Sequence, residues 1–62
     1  MDIAIFNHQI VEVDIIRGID QDLFEAKYEG DIGEYLEDCG YNRYNIEWMS
    51  SDEIKVNEIE NT

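Results

Sequence analysis

Sixty-two residues make one domain, residues 1–62, and a chain this short buries only about 60% of the surface its unfolded form exposes. Sixteen acids against four bases leave a net charge of −12, which excludes nucleic acid and anionic membrane as direct partners, because both are bound through Lys and Arg. The single cysteine excludes an internal disulfide.

A basic protein surface remains as the expected partner class. Trp48, Phe6, Phe24 and four tyrosines supply enough bulk for one small core, or for a core shared in a homodimer, and they argue against disorder. The opening "MDIAIFNHQI" lacks the basic region and apolar run of a signal peptide. No apolar stretch approaches the roughly 20 residues that span a bilayer, and a lone thiol suits a reducing compartment. The expected location is the cytoplasm, that of a host cell if the gene is carried by a phage.

"IAIF" (residues 3–6) and "IVEVDII" (residues 10–16) read as a hairpin around a tight turn at "NHQ". In the second run Val11, Val13 and Ile15 alternate with Glu12 and Asp14, the period of a half-buried strand. "RGIDQD" carries turn-forming Gly and Asp. "LFEAKY" (residues 23–28) alternates again, Phe24, Ala26 and Tyr28 against Glu25 and Lys27, and predicts a third strand.

The period then changes. Ile32, Tyr35, Leu36 and Cys39 stand at i, i+3, i+4 and i+7, the apolar stripe of a helix over about residues 31–39. Asp31 is a good N-cap with Glu34 three residues on, and Gly40 suits a left-handed stop. "YNIEWM" (residues 44–49) alternates Tyr44, Ile46 and Trp48 against Asn45 and Glu47 as a fourth strand. "SSDE" is a turn, "IKV" a short fifth strand, and the tail from about residue 57 should fray. The expected class is α+β, a small antiparallel sheet in the order β-β-β-α-β-β with one covering helix.

That strand order, with its "EWMSSDEIKV" ending, resembles small SH3-like barrels, in which the penultimate strand passes through a helical turn into the last. The resemblance implies a partly closed barrel. The helix between the third and fourth strands departs from a minimal barrel, and an open sheet under one helix fits equally.

No catalytic set emerges, and the expectation is a protein that is not an enzyme. Cys39 lies among Glu37 and Asp38 at the C-terminal end of its helix, where a thiolate is opposed; its place on the apolar stripe predicts a packed thiol. His8, in the turn, reads as solvated. Asp20, Asp22 and Glu25 lack the alternating oxygens and central Gly of an EF-hand, so no metal or cofactor is expected. The four glycines are scattered and form no phosphate loop.

The charge on the helix is the remaining signal. Glu34 faces Glu37 and Asp38 at i+3 and i+4, which destabilises by about 0.2–0.5 kcal/mol per pair. Glu37 and Asp38 occupy the last turn, where the dipole prefers cations, at about 0.3–1 kcal/mol each. The bland explanation is a solvated face kept soluble by charge. The functional one is a set of carboxylates placed for a basic partner: Asp31, Glu34, Glu37 and Asp38 as the main face, Glu29 and Glu47 extending it, and Tyr41 at the rim.

Small size, extreme acidity and the absence of a catalytic set are similar to the nucleic-acid-mimic inhibitors of phages and plasmids. The similarity is one of charge character and carries no motif. It implies an anti-defence inhibitor that occupies the nucleic-acid groove of a restriction, CRISPR or DNA-processing protein. The alternative is an accessory module that binds a partner, or itself, by strand pairing and is acidic only for solubility.

Overall fold

The computed structural model describes residues 1–61. The class is α+β: an antiparallel three-stranded sheet and two helices. Strand β1 (Asp2–Asn7) is central, with β2 (Glu12–Ile16) and β3 (Ile46–Ser51) on its two sides. Helices α1 (Gln21–Tyr28) and α2 (Ile32–Asp38) and a 3-10 turn (Arg43–Asn45) fill the connection from β2 to β3. Of the five expected strands three form, and the sheet is open.

The expected third strand is a helix. Phe24 and Tyr28 lie two apart in alternation with Ala26, but they are also i and i+4, one face of a helix turn. Phe24 is buried and Tyr28 half-buried on that face. The Asp20 carboxylate accepts from the Asp22 and Leu23 amides at 3.0 and 3.2 Å, satisfying two donors that a strand would not offer. Glu29 then closes the helix at φ 53°, its amide bonding back to the Glu25 carbonyl. Local capping outweighs the period-two pattern.

The hairpin forms, with His8 and its neighbours in the turn between β1 and β2. Its faces are reversed from the simplest reading. Ile3 pairs with Ile16 and Ile5 with Asp14, so Asp14 and Ile16 share the face of the two fully buried isoleucines. Val13 and Ile15 look the other way. The pairing of Asn7 with Glu12 fixes this register, and one residue of slip would exchange every side chain between faces.

The core lies between the sheet and the helices. Ile3, Ile5, Leu36 and Ile46 form it, with Met1, Ile16, Ile19, Ile32, Tyr35 and Tyr41 packed around them. The α2 boundaries match expectation: the Asp31 carboxylate accepts from the Glu34 amide at 3.1 Å, and Gly40 takes φ +102°. Cys39 does not pack. It caps α2 and is exposed, because the stripe that meets the sheet ends at Leu36. Tyr44 belongs to the 3-10 turn and is 89% exposed. "SSDE" divides, with both serines ending β3; residues 54–61 form no helix or strand, and Thr62 lies outside the described residues.

One polar group organises the N-terminal edge of this core. Asp2 is only 6% exposed. Its carboxylate accepts from the Gly18 amide at 3.0 Å, from the Ile54 amide at 3.1 Å and from Arg17 Nη1 at 3.1 Å. Those two amides, aided by the guanidinium, hold the carboxyl below the usual aspartate range. A lowered native value means that the group stabilises the fold above its unfolded pKa of about 3.9, and that this is lost as pH falls through the native value.

Asp2→Asn should therefore lower the urea midpoint at neutral pH. The gap from the parent should close as the pH is taken below the carboxylate range; a gap that persists there would assign the loss to packing. Leu36→Ala should cost about 2–5 kcal/mol against a total of about 3–9 kcal/mol for this length. Circular dichroism should show it unfolded or nearly so at room temperature.

Candidate functional site

The site expected from sequence is the acidic face of α2, and the structure enlarges it. Because residues 21–28 are helical, α1 packs against α2 through Phe24, Tyr28 and Tyr35, and α2 packs on the sheet through Ile32, Tyr35 and Leu36. Residues 20–38 hold Asp20, Asp22, Glu25, Glu29, Asp31, Glu34, Glu37 and Asp38 against Lys27 alone. Half of the chain's sixteen acids thus lie on the two helices and the residues that cap and join them.

The four main carboxylates differ in what they touch. Asp31 is the N-cap of α2. Asp38 Oδ2 accepts from the Tyr28 hydroxyl at 2.9 Å; that bond, before burial, pushes the Tyr28 phenol above its ordinary value. Glu37 pairs with the Arg43 guanidinium. Among the described residues Glu34 stays exposed without an ion pair, as does Glu29 at the C-cap of α1. Hydrogen bonding leaves a carboxylate its charge; only Glu37 has a cation on it.

Gly33 explains how Arg43 reaches Glu37. A Cβ on Gly33 would stand 3.1 Å from Arg43 Cζ and 3.3 Å from Asp31 Oδ1. The guanidinium therefore lies over the bare backbone of the first turn of α2. Three of the four bases are engaged in this way: Arg17 with Asp2, Arg43 with Glu37, and Lys27 over the Tyr28 ring at 5.3 Å from its centroid. Beneath the layer Phe24, Tyr28 and Tyr35 pack with ring centroids 5.3–5.8 Å apart, the Tyr35 contacts being edge-to-face. Desolvation chiefly pushes the Tyr35 phenol upward.

Two expected site residues do not belong to this face. Glu47 pairs in register with Phe6 on β1, which places it on the sheet face turned away from the helices, 3.8 Å from His8 Nε2. Tyr41 is half-buried against the core, and its hydroxyl donates to Asp14 Oδ2 at 2.7 Å. It is a tie between the end of α2 and β2, not a rim contact. Sequence reasoning missed the α1 carboxylates Asp22 and Glu25, whose signal was the Asp20 cap ahead of a run poor in β-branched residues.

A groove of about 420 Å³ opens between α1 and the segment following β2, walled by Ile16, Ile19, Leu23, Phe24 and Tyr35 with Arg17 and Lys27 at its rim. Among the described residues no three His, Cys, Asp or Glu side chains group to hold a metal ion, and no helix is long and apolar enough to cross a membrane.

The bond to Asp14, with burial second, raises the Tyr41 phenol to about 12. A raised native value stabilises the fold below the unfolded pKa of about 10 and is lost as pH rises through the native one. In an alkaline titration followed by tyrosinate absorbance, Tyr41→Phe should remove the latest-titrating component; an unchanged upper limb would show that Tyr41 is free. Comparison with known proteins finds no matching family model, no similar curated protein and no similar solved structure.

Proposed function

We propose that the protein is a non-enzymatic cytoplasmic inhibitor, carried by a phage or plasmid, that occupies a basic nucleic-acid-binding surface of a host defence or DNA-processing protein. The observation that carries this reading is the asymmetry of the helical layer: eight carboxylates and one lysine on residues 20–38. Neighbours at i+3 and i+4 hold their Cβ atoms about 5–6 Å apart, and acidic side chains can splay wider, toward the charge spacing along a nucleic-acid strand. With most of the bases tied to groups of the chain itself, the field of the layer is free to steer a cationic partner. Competition is the mechanism: the inhibitor fills the groove and the polyanion is excluded.

The second reading, an accessory module that pairs strands, is favoured by a separate observation. Among the described residues β2 and β3 are both edge strands, and each presents one row of backbone groups to a partner strand. In that case the carboxylates serve solubility.

A pull-down from host lysate across a salt series separates the two. The leading reading expects basic nucleic-acid enzymes at low salt, released as ionic strength rises. The triple variant Glu25→Lys, Glu29→Lys, Glu34→Lys should weaken capture at low salt by at least tenfold, about 1.4 kcal/mol. Affinity unchanged by the triple reversal would discard charge imitation and leave the strand-pairing module.

A further inference from the structure

The chain beyond β3 is held before it leaves the fold. Ser51 pairs with Asp2 at the end of the sheet, and the Asp2 carboxylate then accepts from the Ile54 amide at 3.1 Å. The Ile54 carbonyl accepts from Arg17 Nη1 at 2.7 Å. Residues 51–54 therefore cross the end of the sheet from the β3 edge, past β1, to the segment that follows β2. From there the chain enters solvent, with Val56 57% and Ile59 91% exposed.

The groove beside α1 opens at that same segment. Arg17 and Gly18 line it together with the apolar Ile19, Leu23, Phe24 and Tyr35. Leu23 is 69% exposed, and a Cβ on Gly18 would meet nothing within 4 Å. The charge of the groove is unlike that of the rest of the helices. Arg17 and Lys27 both line it, against Asp20 alone among the acids, and the Asp20 carboxylate is committed to two amides of α1.

We propose that residues 55–60 form a strap that closes on this groove. Val56 and Ile59 seat against Leu23, Phe24 and Tyr35, and Glu58 and Glu60 come to Lys27. Four observations select this segment as the occupant. It is tethered at the edge of the groove by the bonds of Ile54 to Asp2 and Arg17. It is long enough, because the five residues from Ile54 to Ile59 reach up to about 17 Å, while α1 rises only about 12 Å from Asp20 to Tyr28. It carries two exposed aliphatic side chains that do little for the fold as it stands. Its two acids meet a rim that is basic in a chain otherwise short of cations. A short tether holds its segment at an effective concentration of about millimolar, which a free ligand of the same chemistry would have to exceed.

Ordering the strap opposes closure and burial of two aliphatic side chains favours it, and the two effects are of similar size. The strap therefore exchanges between open and closed forms. Closure covers Lys27, the single base of residues 20–38, with carboxylates, so the helices then present their acids without it. The inference stands whether or not those acids bind a basic partner.

Methyl NMR of the full chain over a dilution series tests this. The Val56 and Ile59 methyls should be moved upfield by the rings of Phe24 and Tyr35 and show Overhauser effects to Leu23, both independent of concentration. Lys27→Glu should reduce the upfield shifts at least twofold while retaining the parent circular dichroism. Val56→Ser, Ile59→Ser, which leaves charge and core untouched, should move the Leu23 methyl signals and leave those of Ile3 and Leu36 in place. Strap methyls at random-coil positions, contacts that vanish on dilution and so belong to a second copy, or Leu23 signals unmoved in the double serine variant would each overturn the proposal. None of these three would touch the capture of a basic partner by the helices.

Discussion

The structure depends on one carboxylate. Asp2 stands at the start of the central strand and takes hydrogen bonds from Gly18, from Ile54 and from Arg17, whose Nη1 also bonds the Ile54 carbonyl at 2.7 Å. Three segments distant in sequence meet there: the first strand, the exit from β2 and the stretch beyond β3. Next to it Met1 and Ile19 exchange backbone bonds at 2.9 and 3.0 Å, carrying the ladder past the end of β2. In a chain with so few buried side chains, a nearly buried charge without partners would be costly. With these partners it fixes where the chain turns from sheet to helix.

That turning point decides the electrostatics. Once residue 19 is tied to residue 1, the helical segment has one side of the sheet on which to bury Phe24 and Leu36, and its polar faces must look outward together. Acid gathered on the helices and the exposure of Val13 and Met49 on the other side of the sheet are thus two consequences of one topology. Helix α2 carries the electrostatic cost of its like-charged neighbours, and the pairing of Glu37 with Arg43 across Gly33 offsets part of it. The other carboxylates stay unneutralised because the chain has almost no bases left to offer them.

How much of this the sequence showed depended on whether the deciding interaction was local. Helix α2 was legible because cap, stripe and stop are all encoded within ten residues, Asp31 to Gly40. The α+β class and the antiparallel hairpin followed from periodicity. Helix α1 was misread because Phe24, Ala26 and Tyr28 satisfy two periods at once, and only the Asp20 cap broke the tie. The inward face of β2 was illegible, since it depends on a pairing register set across the hairpin. The closing strand at "IKV" failed for a related reason. Its Ile54 amide bonds to Asp2, a side chain at the far end of the sequence. At the candidate site the acids of α2 were visible in advance, while Tyr41 and Glu47 were displaced by contacts that no local pattern announces.

The two faces also constrain each other energetically. A sheet with one side wet loses half of the burial that three strands can offer, and small domains have little to spare. An ordinary remedy is a second helix layer, and among the described residues those after β3, residues 52–61, form no helix. A more apolar helical layer would not help either, because the exposed strands would then invite association on both sides. The dense acid on α1 and α2 closes that route: it makes one side of the molecule repel its own kind.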